Sequence, residues 1–279
     1  MNSQILKKIY YQTCCYELKV FKPGNHSIYS KIYGMNELKF KYAAKISSNF
    51  LANKKFSFGE SIFLSAKKCK IALNSNYNLG IIILCAPILR VYSDGFKNFK
   101  QRLNSFLNSI SEKDGEQIFN AIKLVEPGGI KNYKGSGNVF ASSKLNFNEI
   151  MRIGSKWDRI SKCYIDNYKE IFDFGLPLLE STKQKTSQEI ATEILYINYL
   201  SNSLDSHLKR KFGKEKAQIV MKKAQNLKKK IKILKNNRIL LKDLDRYLKK
   251  FHLNPGTCAD LTVTTLLIDK IRDIFKFSL

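Results

Sequence analysis

An all-α fold is what this sequence predicts, and three observations predict it. Apolar residues return at three- and four-residue steps through most of the second half of the chain, the spacing of a helix face. In the middle, residues 150–172 set Ile153, Trp157, Ile160, Tyr164, Tyr168 and Ile171 on one such face. The run most like a strand, GIIIL at 80–84, leads straight into CAPIL, where Pro87 has no N–H to give a ladder.

Taken in order, the first helical stretch is NELKFKYAAKISSNFLANK at 36–54. The apolar run at 79–89 reads either as a buried strand, by its Ile content, or as a buried helix bent at Pro87. EPGGIKNYKGSGN, 126–138, is the one conspicuous long loop. Residues 150–172 form the middle helix. From Gln188 a long helix carries Ile190, Ile194, Ile197, Leu200, Leu204 and Leu208, and Gly213 ends it. The next runs through Ile219, Ala224, Leu227, Ile231 and Leu234, and another from Leu240 through Leu244 and Leu248 to Phe251. A last helix spans about 259–275. With 279 residues, 44% of them hydrophobic, the chain has room for a sizeable core, and residues 1–279 read as a single domain with its loops gathered at one site.

The net charge of +26 invites a nucleic-acid partner, since clustered cations release counterions from a phosphate backbone. Here the cations are spread along the whole chain. The densest run, KKAQNLKKKIKILKNNR at 222–238, interleaves Lys with Ile and Leu at helical spacing and reads as a solvated helix face. A basic chain equally suits an acidic small molecule such as a nucleotide. Six cysteines form no C-x-x-C pair, and with three histidines in the chain a zinc site is not indicated. Reduced thiols, an N-terminus without a signal-peptide core and no apolar run long enough to span a bilayer point to a cytoplasmic protein with no membrane partner.

Five segments set Gly, Asn or charged side chains beside a helical pattern. In ELKVFKPGN, Glu17 is an acid, Lys22 a candidate phosphate ligand, Gly24 a point of close backbone approach and Asn25 a cap or ligand; alone, the segment reads as an ordinary turn. In NYNLG, Asn76 and Asn78 enter the apolar run, Asn78 as an N-cap or both as nucleotide ligands. The Gly-rich loop, with Gly128 and Gly129, has the composition of an anion nest but lacks a Walker pattern. In LDSHLKRKFG, a helical reading puts Asp205 and Lys209 one turn apart, with Asp205 a base or magnesium ligand and His207, Arg210 and Lys211 toward phosphates. In NPGTCADLTV, Asn254, Gly256 and Thr257 precede a helix, and Thr257 with Asp260 has the spacing of a capping box. A helix start of that kind also binds anions.

In order, these segments resemble the triphosphoribosyl-dephospho-CoA synthase family: an acid then KPGN, N-x-N-L-G before an apolar helix, a PGG loop, WDRISKCYIDNYKEIF, D-S-H-x-x-R-K, and NPGT-x-ADLTV. The resemblance covers nearly the whole chain. It implies an all-helical transferase that joins ATP to 3'-dephospho-CoA or a related acceptor and releases adenine. It further implies Mg²⁺ on the carboxylates Asp205 and Asp260, Glu17 as a third catalytic acid, and the Lys, Arg and Asn residues above around the nucleotide; a homo-oligomer is compatible with it. Two departures stand out: Asn138 occupies an acid's place after the PGG loop, and Ser155-Lys156-Trp157-Asp158-Arg159 replaces A-x-R-D-R. If the lost acids are metal ligands, metal affinity or rate falls, and the alternative is a degenerate member that binds ATP or CoA without turnover. A basic nucleic-acid-binding protein is the more distant alternative.

Overall fold

The computed structural model describes residues 3–92, 97–141, 145–232 and 237–275. Among these residues the chain is helical without a strand. The elements are α1 (Ser3–Glu17), α2 (Glu37–Leu51), α3 (Phe58–Leu73), α4 (Leu79–Tyr92), α5 (Phe99–Asn108), α6 (Glu112–Val125), α7 (Phe147–Gly154), α8 (Arg159–Ile165), α9 (Leu176–Lys183), α10 (Gln188–Asn202), α11 (Ser206–Phe212), α12 (Lys214–Lys230), α13 (Arg238–Lys250) and α14 (Gly256–Phe275). A short 3₁₀ turn, Ile130–Asn132, interrupts the Gly-rich loop, and a π-helical turn, Glu170–Gly175, leads into α9.

Two helices form the centre. α4 buries every residue except Gly80 and Arg90, and α14 packs against α1, α4, α10 and α11. One continuous hydrophobic cluster runs from Leu6 to Ile271. The apolar run at 79–89 is thus a buried helix. Pro87 lies inside it and has no N–H for the Ile83 carbonyl one turn back. Tyr164 donates its hydroxyl to Ile83 O at 2.8 Å, and Tyr168 donates to Leu84 O at 2.9 Å. Two tyrosines of the middle segment therefore satisfy carbonyls that a buried kink would orphan.

Three expectations are corrected. Residues 150–172 are not one helix: the chain breaks after Gly154, restarts at Asp158, and turns again where Asn167 and Tyr168 have φ of 57° and 58°. The long helix from Gln188 stops at Asn202, because Ser203 is extended and Asp205 starts a new helix as its N-cap. Asp205 and Lys209 remain one turn apart, with Lys209 N–H on Asp205 O at 2.9 Å, but Asp205 stands at the cap and not inside the helix. Thr257 and Asp260 form no capping box, since α14 already begins at Gly256 and both lie inside its first turns. The cationic run buries Ala224 and Leu227 on α12 with lysines on the solvent side, in line with Ala217 and Val220 before it, while Ile219 is exposed; Leu234 lies outside the described residues.

Candidate functional site

A cavity of about 390 Å³ opens where the first turns of α4, α8, α11 and α14 meet the Gly-rich loop. That volume is in the range of small-molecule sites. Its wall holds Asn76, Gly128, Gly129, His207, Arg210, Thr257 and Asp260, contributed by four segments far apart in the chain. Asp158 and Ser206 line it too, and an apolar side comes from α6, α7 and α8.

Asp205 organises the polar end without lining it. Its Oδ1 accepts the N–H of Leu208 at 2.9 Å and its Oδ2 the N–H of Cys258 at 2.8 Å, so one carboxylate caps α11 and α14 together. The exchange is reciprocal: Thr257 Oγ1 accepts the N–H of His207 at 3.1 Å. The start of α8 joins the same knot, where Ser206 Oγ accepts the N–H of Arg159 at 2.8 Å. Arg159 in turn donates to both oxygens of Glu170, at 3.1 and 2.6 Å. With both oxygens of Asp205 on backbone N–H groups, the carboxylates that line the cavity are Asp158 and Asp260. Asp260 is the one at the start of α14. It lies beside the first turn of α4, and a methyl group on Gly80 would collide with its Oδ2. Only glycine permits that approach. Burial, and then the nearby carboxylates of Asp205 and Glu17, raise the Asp260 acid well above the usual carboxylate range.

His207 stands on the same wall. Burial first, and then Arg210 and Lys211, lower its pKa to about 4 against the opposing pull of Asp205. The imidazole is neutral near pH 7, so it is a hydrogen-bonding or proton-accepting group there and not a cation for phosphate. Arg210 supplies the cation. Its Nε donates to Gly128 O at 3.0 Å and its Nη1 stands 3.8 Å from Asp158 Oδ1. Gly129, with φ of 80°, sits against the Arg210 backbone, so the PGG turn is clamped on α11. Lys211 stands at the rim beside Gly128, with its ammonium over the Phe212 ring.

The remaining candidates fall outside the cavity wall. Lys22 is fully buried and donates to the carbonyls of Glu17, Val20 and His26 at 2.9, 3.3 and 3.2 Å, while pairing with Glu17 Oε1 at 3.0 Å. Every ammonium proton is engaged, which leaves none for a phosphate. Asn25 donates to Asn254 Oδ1 at 2.8 Å, tying the KPGN turn to the start of α14. Gly24 gives its N–H to Asp245 Oδ1 at 2.7 Å and packs against Leu253 and Pro255. Asn78, at φ of 63°, accepts Ile82 N–H on its carbonyl and reaches Phe40 O with its amide. Gly256 lies against the His207 ring. These residues brace the wall from behind.

Asn138, in the place expected of an acid, is a loop lock. Its amide donates to Tyr133 O at 2.8 Å and its carbonyl accepts Phe140 N–H at 3.0 Å. Asp158 is the residue the motif reading left unassigned. Its Oδ2 caps α8 through Ser161 N–H and Oγ, but its Oδ1 is buried without a hydrogen-bond partner at the cavity. A signal was present, an Asp three residues before Ser161 at a helix start, but it speaks equally for an ordinary cap.

The family model for CitG, ATP:dephospho-CoA triphosphoribosyl transferase, matches residues 3–278. A crystal structure from Archaeoglobus fulgidus, provisionally named a triphosphoribosyl-dephospho-CoA synthase, superposes with a TM-score of 0.63 at 22% identity, covering 82% of this chain and 97% of that one. No curated protein matches the chain. The structural likeness bears on the fold, which in both is all-helical.

Proposed function

The chain belongs to the ATP:dephospho-CoA triphosphoribosyl transferase family, and on that premise we propose that the cavity binds ATP and 3'-dephospho-CoA, or a closely related acceptor, and joins them with loss of adenine. An acceptor hydroxyl attacks C1 of the ATP ribose, the bond from that carbon to adenine breaks, the hydroxyl proton goes to a base, and adenine leaves with a proton. The observation that carries this reading is the meeting of Asn76, the PGG turn, His207, Arg210 and Asp260 around one cavity, though they are spread over most of the chain.

The environments divide the work. Neutral His207 suits the acceptance of the hydroxyl proton, and Asp260, whose acidity burial weakens, suits the donation of a proton to the departing base. Arg210 faces the triphosphate. The residues fit Mg²⁺ as a substrate-borne ion. Among the described residues no three His, Cys, Asp or Glu side chains cluster as a cage. Asp158 Oδ1, which accepts no hydrogen bond and lies 3.8 Å from Arg210 Nη1, would offer Mg²⁺ an oxygen, as for an ion held by one carboxylate plus phosphates. Mg²⁺ bound there would supply charge neutralisation of the triphosphate. Among the described residues no helix is long and apolar enough to cross a membrane, and all six cysteines are free, which supports a cytoplasmic location. A single domain over 1–279 accords with the continuous core.

The test is adenine release. Protein incubated with ATP, Mg²⁺ and 3'-dephospho-CoA should liberate adenine, followed by chromatography, and only when the acceptor is present. ATP binding without any adenine would instead favour a nucleotide-binding member that has lost turnover.

A further inference from the structure

The apolar side of the cavity carries two aromatic rings that the reaction as described leaves without a task. Trp157 and Tyr133 both line the cavity, with ring centroids 4.6 Å apart and planes inclined by 35°. They come from different elements. Trp157 sits in the break between α7 and α8, next to Asp158, and Tyr133 follows the 3₁₀ turn of the Gly-rich loop. The Tyr133 hydroxyl donates to Ser136 O at 2.8 Å, its carbonyl is held by Asn138, and Gly135 leaves the room its ring edge occupies. With its hydroxyl spent inside the loop, Tyr133 offers the cavity a π-face. Asn76, on the same wall, carries an amide that can serve a ring edge bearing both a donor and an acceptor.

We propose that Trp157 and Tyr133 form a stacking platform for the purine base of the bound nucleotide, with its phosphates toward Arg210. Base stacking on aromatic side chains suits a flat ring between apolar walls. The platform explains why a Gly-rich loop that presents its Gly128 carbonyl to Arg210 should close over this cavity: its job is to hold Tyr133, not to form an anion nest. The proposal rests on the nucleotide reading above but not on turnover. The base could be that of ATP or that of 3'-dephospho-CoA.

Trp157 is the chain's single tryptophan, so its emission reports on this wall alone. Titration with ATP, adenosine, 3'-dephospho-CoA and inorganic tripolyphosphate should change the emission with at least one adenine-bearing ligand, and not with tripolyphosphate. Dissociation constants by equilibrium dialysis should rise on the order of ten- to a hundredfold in Trp157→Leu, which keeps apolar bulk, and stay within about threefold in Trp157→Phe. An effect confined to ATP places the donor's base on the platform, and one confined to 3'-dephospho-CoA places the acceptor's; either supports the proposal. Unchanged affinities for all adenine ligands in a Trp157→Leu variant with wild-type circular dichroism overturn it. Trp157-dependent binding without adenine release would remove the transfer reaction and leave the platform. Adenine release with unaltered KM values in Trp157→Leu would do the reverse.

Discussion

Asp205 and Cys258 are joined by a 2.8 Å hydrogen bond from the Cys258 N–H to Asp205 Oδ2, across 53 residues of chain. The other Asp205 oxygen caps its own helix through Leu208. The acid is thereby a structural clasp, and its removal should be felt in stability. Each cap contributes about 1 kcal/mol, so Asp205→Ala should lose about 2 kcal/mol, a fall in Tm of roughly 5 °C. Asp205→Asn keeps one acceptor oxygen and should lose about half of that. Thermal melts of the two variants decide it; an undisturbed Tm in both would remove the clasp.

Asp260→Asn should behave in the opposite way. Turnover should fall by about a hundredfold or more, while Tm holds or rises. The sign follows from linkage. Asp260 keeps its proton in the fold well above 3.8, where the unfolded chain has lost it. Its contribution is therefore favourable at low pH and is lost as pH rises from the ordinary carboxylate range toward its folded pKa. Denaturation midpoints measured against pH should show a shallower decline over that window in Asp260→Asn than in wild type.

His207 and His26 both have pKa values lowered to about 4, from 6.5, with burial the first cause for each. Imidazole resonances followed by NMR should give two midpoints near pH 4. Stability from these groups is fully present above pH 6.5 and is lost as pH falls toward 4, because the unfolded chain takes up the protons first. A His207 midpoint at 6.5 or above would contradict its assignment as a neutral, buried base.

Gly80→Ala should uncouple fold from chemistry. The added methyl meets Asp260 Oδ2, which lines the cavity and can only swing aside. Activity should fall at least tenfold with kcat more affected than KM, and the melting curve should move little. Wild-type kcat would show that the Asp260 position is not critical.

Lys22→Met tests the reading of Lys22 as a tie. It breaks a buried pair with Glu17 and takes a donor from the carbonyls of Glu17, Val20 and His26, so urea denaturation should show a loss of about 3–5 kcal/mol. The KM for ATP, measured on the folded fraction, should stay within about twofold. A rise in KM without loss of stability would make Lys22 a phosphate ligand after all.

Much of this architecture was legible from spacing alone. Leu244 and Leu248 on α13, and Ala224 and Leu227 on α12, are buried as their periodicity indicates, whereas Ile219 and Phe251, read on the same faces, are exposed. What spacing could not convey is where a periodic stretch is cut. Trp157 and Tyr164 share a helical phase in the sequence, yet Asp158 caps a new helix between them and sends the indole to the cavity and the phenol to Ile83 O. The candidate site was legible as segments and not as roles. Glu17, Lys22, Asn25 and Asn254 are chemically the right types for a nucleotide, and nothing local distinguishes a side chain that meets a ligand from one that ties the loop behind it. Lys22 turns inward because three backbone carbonyls converge there, a feature of the folded turn. The apolar wall from α6 was missed because Ile118, Phe119 and Ile122 look like ordinary core residues.

The central place of α14 bears on how the protein is made. α1, α4 and α10 all pack on that helix, and residue 256 is its first member. While the chain is being synthesised, α1, α4 and α10 can pack on their other neighbours, but the sides they turn to α14 stay uncovered until it follows. Assembly of the core is therefore expected after most of the polypeptide has been translated, an interval in which the nascent chain is exposed to aggregation and is a natural client of holding chaperones.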